Sequence, residues 1–163
     1  MDRILIIGLQ GSGKSTFAHK LGKKLNREVI HLDKIYYNSG WKHTHTKEEW
    51  KQIIRDLISK EKWIMDGQYS STLDIRIPAA DTIIFFDFNK LFCFYRIFKR
   101  VLNRTQPFDK TEGNFNHVSW DLIQKIIKFP KKQTLEKLEL YKNTKKIFIV
   151  KNRKEVENLL PIF

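Results

Sequence analysis

The chain has 163 residues, of which 31 are lysine or arginine and 18 aspartate or glutamate, for a formal charge of +13. That length suits one domain spanning 1–163, and 41% hydrophobic residues with no apolar run long enough for a bilayer sets aside disordered, fibrous and membrane-spanning classes. The single Cys93 makes no internal disulfide, and Asp2 and Arg3 precede only a short apolar run without a cleavage site, so a reducing cytoplasm is the expected compartment.

Residues 4–7 are a continuous apolar run, which predicts a buried parallel strand. Directly after it stands Gly8-Leu9-Gln10-Gly11-Ser12-Gly13-Lys14-Ser15-Thr16, which fits the phosphate-binding loop G-x-x-x-x-G-K-[ST]. Glycines let backbone N–H groups approach phosphate oxygens where a Cβ would obstruct. Lys14 adds a mobile point charge, Ser15 a hydroxyl for Mg²⁺, and the helix starting here its positive N-terminus. Gly8, Gln10, Gly11, Ser12, Gly13, Lys14, Ser15 and Thr16 are therefore the expected nucleotide-binding residues.

Phe17, Ala18, Leu21 and Leu25 carry an amphipathic helix over 15–25. A short strand is expected at 28–32, ending in Asp33, then an aromatic, polar loop over 36–46. Thr46 with Glu49 forms a capping-box pattern opening a helix whose Trp50, Ile53, Ile54, Leu57 and Ile58 share a face. Residues 63–65 predict a third strand closed by Asp66-Gly67, and 70–80 an irregular stretch or short helix ended by Pro78. A fourth strand at 82–86 ends in Asp87, and 91–102 reads as a helix. Gly, Pro, Asn and Asp mark 105–117 as a loop. Helices over 118–129 and 135–141, parted at Pro130, a fifth strand at 147–150 and a helix at 155–160 complete the chain.

Strands alternating with helices call for an open parallel sheet covered on both faces, with ligands beyond the carboxyl ends of the strands. Gly8, Asp33, Asp66, Asp87 and Lys151-Asn152-Arg153 all fall there. Mg²⁺ with a triphosphate needs a carboxylate near its hydration shell. Asp66, followed by a glycine, is preferred over Asp87, which equally suits the start of the next helix; Asp33 is set to face the second substrate and receive a hydroxyl proton. Arg96 and Arg100 share a helix face and Arg104 continues it, a cationic set suited to phosphoryl transfer; a solvated surface helix is the alternative. Arg76 is a further candidate for a substrate anion. His43 and His45 lack a third ligand for a metal, and Trp41, Tyr36 and Tyr37 suit either base stacking or packing.

In the order of these motifs the chain resembles adenylate kinase and related small phosphate-loop kinases. It is more closely similar to the bacterial DNA topology modulation protein (FlaR-like) family. That likeness rests on His31-Leu32-Asp33, Trp63-Ile64-Met65-Asp66-Gly67-Gln68-Tyr69, Thr72-Leu73-Asp74-Ile75-Arg76, Asp81-Thr82-Ile83-Ile84-Phe85-Phe86-Asp87 and Phe129-Pro130-Lys131-Lys132. The resemblance implies a three-layer α/β phosphate-loop NTPase fold with a five-stranded parallel sheet of order 2-3-1-4-5. It also implies ATP and Mg²⁺ as cofactors, Arg96 and Arg100 on phosphates before a short lid around 104–117, and Arg153 near the adenine. Adenylate kinase reads Asp-Gly-Phe-Pro-Arg where this chain has Asp66-Gly67-Gln68-Tyr69, with Arg76 several residues later, so the acceptor stays open.

The residues together predict a phosphotransferase moving the ATP γ-phosphoryl to a small acceptor, a nucleotide or nucleoside among the candidates, as a monomer or homodimer. Lys14, Arg96, Arg100 and Asp33 are the catalytic set, Ser15 and Asp66 the metal set, and Asp33 and Arg76 the acceptor set. The charge of +13 keeps a second reading alive, an ATP-binding regulator associated with nucleic acid.

Overall fold

Five apolar runs become five strands, all parallel, in the order β2-β3-β1-β4-β5. The computed structural model describes residues 1–37, 45–102 and 120–163. Trp41, His43, Arg104 and the expected lid at 104–117 lie outside them.

The strand β1 (Arg3–Gly8) lies between β3 (Trp63–Asp66) and β4 (Thr82–Phe86), and Ile4, Leu5, Ile6 and Ile7 have no exposed surface. Burying each such side chain favours folding by about 1.5–3 kcal/mol, which explains a run with no polar alternation. The edges are β2 (Val29–His31) and β5 (Lys146–Val150), both less buried. Helix α1 (Lys14–Leu25) packs on β1, β2 and β3, and further helices cover both faces in three layers. Among the described residues no helix is long and apolar enough to cross a membrane.

Two expectations change. Strand β2 pairs with β3 only through Val29↔Ile64, Ile30↔Met65 and His31↔Asp66, so pairing stops where β3 stops. The chain then folds into α2 (Leu32–Tyr36), burying Leu32 and putting Asp33 in a helical first turn rather than on a strand end. Pro78 lies inside α4 (Leu73–Ala79) rather than ending it. It forgoes one helical donor, and the Ala80 N–H still reaches Arg76 O at 3.1 Å.

Elsewhere the local signals hold. Thr46 Oγ1 accepts from the Glu49 N–H and Glu49 Oε2 from the Thr46 N–H, the reciprocal cap that opens α3 (Lys47–Ile58). Helix α5 (Lys90–Leu102) buries Cys93 and Ile97 against the phosphate loop side and exposes Leu91, Tyr95, Phe98 and Leu102. Pro130 stands between α6 (Trp120–Ile127) and α7 (Lys131–Glu139), and α8 (Arg153–Leu159) follows β5. At the sheet's far end the Asp2 and Arg3 N–H groups donate to Asp81 Oδ2 at 2.7 and 2.8 Å, joining the start of β1 to that of β4.

Candidate active site

The loop between β1 and α1 is shaped by close contact with its neighbours. Gly8 has φ +138°, and a Cβ there would stand 2.5 Å from Phe86 O. At Gly13, φ +101°, a Cβ would meet Arg96 Nη1 at 3.0 Å. Both positions favour glycine for conformation, and Gly8 for space as well, since backbone stands in the way there. Gln10 lies in the turn, and Ser15 and Thr16 in the first turn of α1.

Two cations are drawn onto this loop. Lys14 Nζ donates to Leu9 O at 2.9 Å, and Arg96 Nη1 donates to Ser12 O at 2.9 Å. Burial pushes the Arg96 pKa below its ordinary value, and the neighbouring Arg153 and Arg100 guanidiniums push it the same way. Arg96, Arg100 and Arg153 thus form one positive cluster beside the phosphate loop, although they come from α5 and α8. Their charges give this side of the loop a positive field, suited to polyphosphate.

The register His31↔Asp66 puts an imidazole and a carboxylate side by side at the carboxyl ends of β2 and β3. His31 Nδ1 lies 3.2 Å from Asp66 Oδ2, while Asp66 Oδ1 and Ser12 Oγ are buried with no hydrogen-bond partner among the described residues. An orphaned carboxylate oxygen and an orphaned hydroxyl near a glycine cradle fit Mg²⁺ with a triphosphate, whose waters and oxygens need such acceptors and donors. The rival Asp87 is paired instead: Lys131 Nζ stands 2.7 Å from its Oδ1. Among the described residues no three His, Cys, Asp or Glu side chains converge, and Mg²⁺ needs no such cluster because it keeps most of its water.

Asp33, in the first turn of α2, meets the turn after β3. Its Oδ1 accepts from the Tyr69 hydroxyl at 2.7 Å. Burial raises the Tyr69 pKa and the Asp33 carboxylate raises it further, so the phenol stays protonated and donating. The Tyr69 ring packs on Tyr36 and Trp50, with centroids 4.9 and 5.1 Å away. Tyr36 therefore serves packing; Tyr37, also buried, takes a hydrogen bond from Lys125 Nζ at 3.2 Å.

Arg76 corrects an expectation. It is fully buried, and its guanidinium donates to Gly67 O, Gln68 O and Tyr69 O at 2.6–2.8 Å and to Thr72 Oγ1 at 3.1 Å. Burial lowers its pKa to about 9, against the opposing pull of Tyr69 and Asp66. With those donors committed inside the protein, it does not present a guanidinium to a substrate anion. A helical stripe held the signal: Leu73, Arg76, Ile77 and Ala80 follow i, i+3, i+4, i+7 spacing, so Arg76 occupies a core-facing place. Gln68 was also missed. Its Oε1 accepts from the Gly8 N–H at 2.9 Å and its Nε2 donates to Thr134 Oγ1 at 3.2 Å, contacts that no local pattern announces.

Over 84 residues the chain is 32% identical to a shikimate kinase of Bacillus cytotoxicus, a match spanning 52% of this chain and 45% of that enzyme, so under half of the relative's length. The crystal structure of shikimate kinase from Bacteroides thetaiotaomicron superposes with a TM-score of 0.55 at 16% identity, covering 99% of this chain and 95% of the other. Deoxyadenosine kinase from M. mycoides with bound dCTP gives a TM-score of 0.50 at 16% identity, covering 98% and 97%. No protein-family model matches the chain. The fold is that of phosphate-loop kinases.

Proposed function

We propose that the chain is an ATP- and Mg²⁺-dependent phosphotransferase that moves the γ-phosphoryl group to a hydroxyl of a small acceptor, in the cytoplasm. The observation that carries this reading is the gathering of Lys14 and Arg96 on carbonyls of the glycine loop, with the Arg100 and Arg153 charges acting on Arg96. Lys14 and the loop amides of residues 11–14 bind the phosphates, and Arg153 lies toward the base. Ser15 and Asp66 hold Mg²⁺, which when bound neutralises phosphate charge and aligns the leaving oxygen. Arg96 and Arg100 stabilise the charge that develops as the new P–O bond forms and the bond to ADP breaks. Asp33 orients the acceptor hydroxyl and takes its proton.

Partial identity to a shikimate kinase and the fold shared with a deoxyadenosine kinase favour a hydroxyl-bearing small molecule as acceptor. The test is phosphate transfer from γ-labelled ATP to a panel of shikimate, deoxynucleosides, nucleotides, sugars and 5′-hydroxyl oligonucleotides. Labelled product with one class supports the reading; ATP bound but never transferred overturns it. The charge of +13 favours a second reading, a nucleic-acid-associated regulator of the DNA topology modulation kind. Its test is DNA binding at two ionic strengths, where phosphate contacts produce a steep loss with salt.

A further inference from the structure

A fully buried arginine that donates to three successive backbone carbonyls and one hydroxyl asks for a reason beyond packing. Desolvating a cation is costly, and an apolar side chain would fill the same core-facing place in α4 without that penalty. What an apolar side chain could not do is hold the turn after β3. Gly67 has φ +148° and Tyr69 φ +28°, so the chain wraps until three carbonyls point inward at one centre. For tyrosine that conformation is strained and persists only where the surroundings impose it. A planar guanidinium, with donors on three nitrogens, matches such a centre, whereas an ammonium is a single point.

The outward side of the same turn carries two side chains of consequence. Gln68 reaches back to the Gly8 N–H, where β1 enters the phosphate loop, and Tyr69 reaches Asp33. We propose that Arg76 is a positioning residue: by gripping the carbonyls of Gly67, Gln68 and Tyr69 it sets the Gln68 amide on the phosphate loop and the Tyr69 hydroxyl on Asp33, and so fixes the spacing between the nucleotide and acceptor sides. Its effect on phosphate transfer rests on the function proposed above; its effect on the two hydrogen bonds does not.

The experiment uses both layers. In the full-length protein, NMR reads the Gly8 amide resonance and the Asp33 carboxyl carbon in Arg76→Lys, Gln68→Ala and Tyr69→Phe. Gln68→Ala should move Gly8 alone, Tyr69→Phe Asp33 alone, and Arg76→Lys both. Wild-type positions for both reporters in Arg76→Lys overturn the proposal, whatever the acceptor proves to be. Should Arg76→Lys fail to fold, Thr72→Val removes one acceptor of the guanidinium. The Thr72 hydroxyl donates to Tyr69 O and accepts from Arg76 Nε rather than bonding Gln68, so Gly8 is then the deciding reporter: a shift supports the proposal and an unmoved Gly8 overturns it. With the acceptor identified, Arg76→Lys should lower its kcat/KM by about 10²-fold, and Gln68→Ala and Tyr69→Phe should each reproduce part of that loss at the wild-type urea midpoint. A loss in Arg76→Lys that follows only a lowered urea midpoint, with Gln68→Ala and Tyr69→Phe fully active, would mark a merely structural residue and overturn it. Moved reporters in an enzyme that transfers phosphate to nothing would defeat the proposed function and leave the positioning role standing.

Discussion

The two halves of the proposed site are built in opposite ways. On the nucleotide side, nine consecutive residues supply loop, ammonium and hydroxyl, and Lys14 reaches a carbonyl only five positions back. On the proposed acceptor side, Asp33 meets Tyr69 across 36 positions, and the turn that carries Tyr69 is tied through Gln68 across 60 positions to Gly8 and 66 to Thr134. A polyphosphate is recognised by backbone and point charge, which one short motif can hold. An acceptor hydroxyl must be met by side chains at fixed angles, and only tertiary structure sets those.

Four substitutions would break or sharpen that contrast. Lys14→Ala should reduce transfer at least about 10³-fold with the far-ultraviolet circular dichroism unchanged, because the phosphates lose their central cation. Full turnover in that variant would remove the nucleotide side from the account. Asp33→Asn should lower kcat/KM for the acceptor by about 10²-fold and leave Mg·ATP titration heats near wild type; equal losses in both would erase the division between the sides. Gly13→Ala forces an L-residue into φ +101° against Arg96, and should weaken Mg·ATP binding about tenfold and stability by about 1–2 kcal/mol, read by calorimetry and urea melts.

The mildest change lies at the sheet's far end. Asp81 is pushed up by burial, but hydrogen bonds from the Arg3 N–H, Thr82 hydroxyl and Asp2 N–H outweigh that and hold its pKa low. A lowered folded value means the carboxylate stabilises the fold above its unfolded pKa of about 4 and stops doing so as pH falls through the folded value. Asp81→Asn should cost about 1 kcal/mol at neutral pH, flatten the acid limb of the stability curve in urea melts, and leave kcat untouched.

These contrasts also explain what could be read without coordinates. The apolar runs at 4–7 and 82–86 are strands because nothing else buries every successive side chain. The loop after β1 and the cap at Thr46 were legible because their partners lie within a few residues. The helical position of Asp33 was not, since it follows from where β3 stops pairing, 33 residues further on. The pairing of His31 with Asp66 and of Asp87 with Lys131 depends on strand register and on the packing of α7, which composition does not encode. Arg76 sat in a visible helical stripe, but its charge drew attention to a ligand and away from the core.

In this structure the donors that would meet a nucleotide already have oxygens to hold: Lys14 has Leu9 O and Arg96 has Ser12 O. An arriving anion therefore exchanges places with two carbonyls instead of filling idle donors. On the proposed function, a phosphate chain would have to offer both cations oxygens at least as good as these two carbonyls.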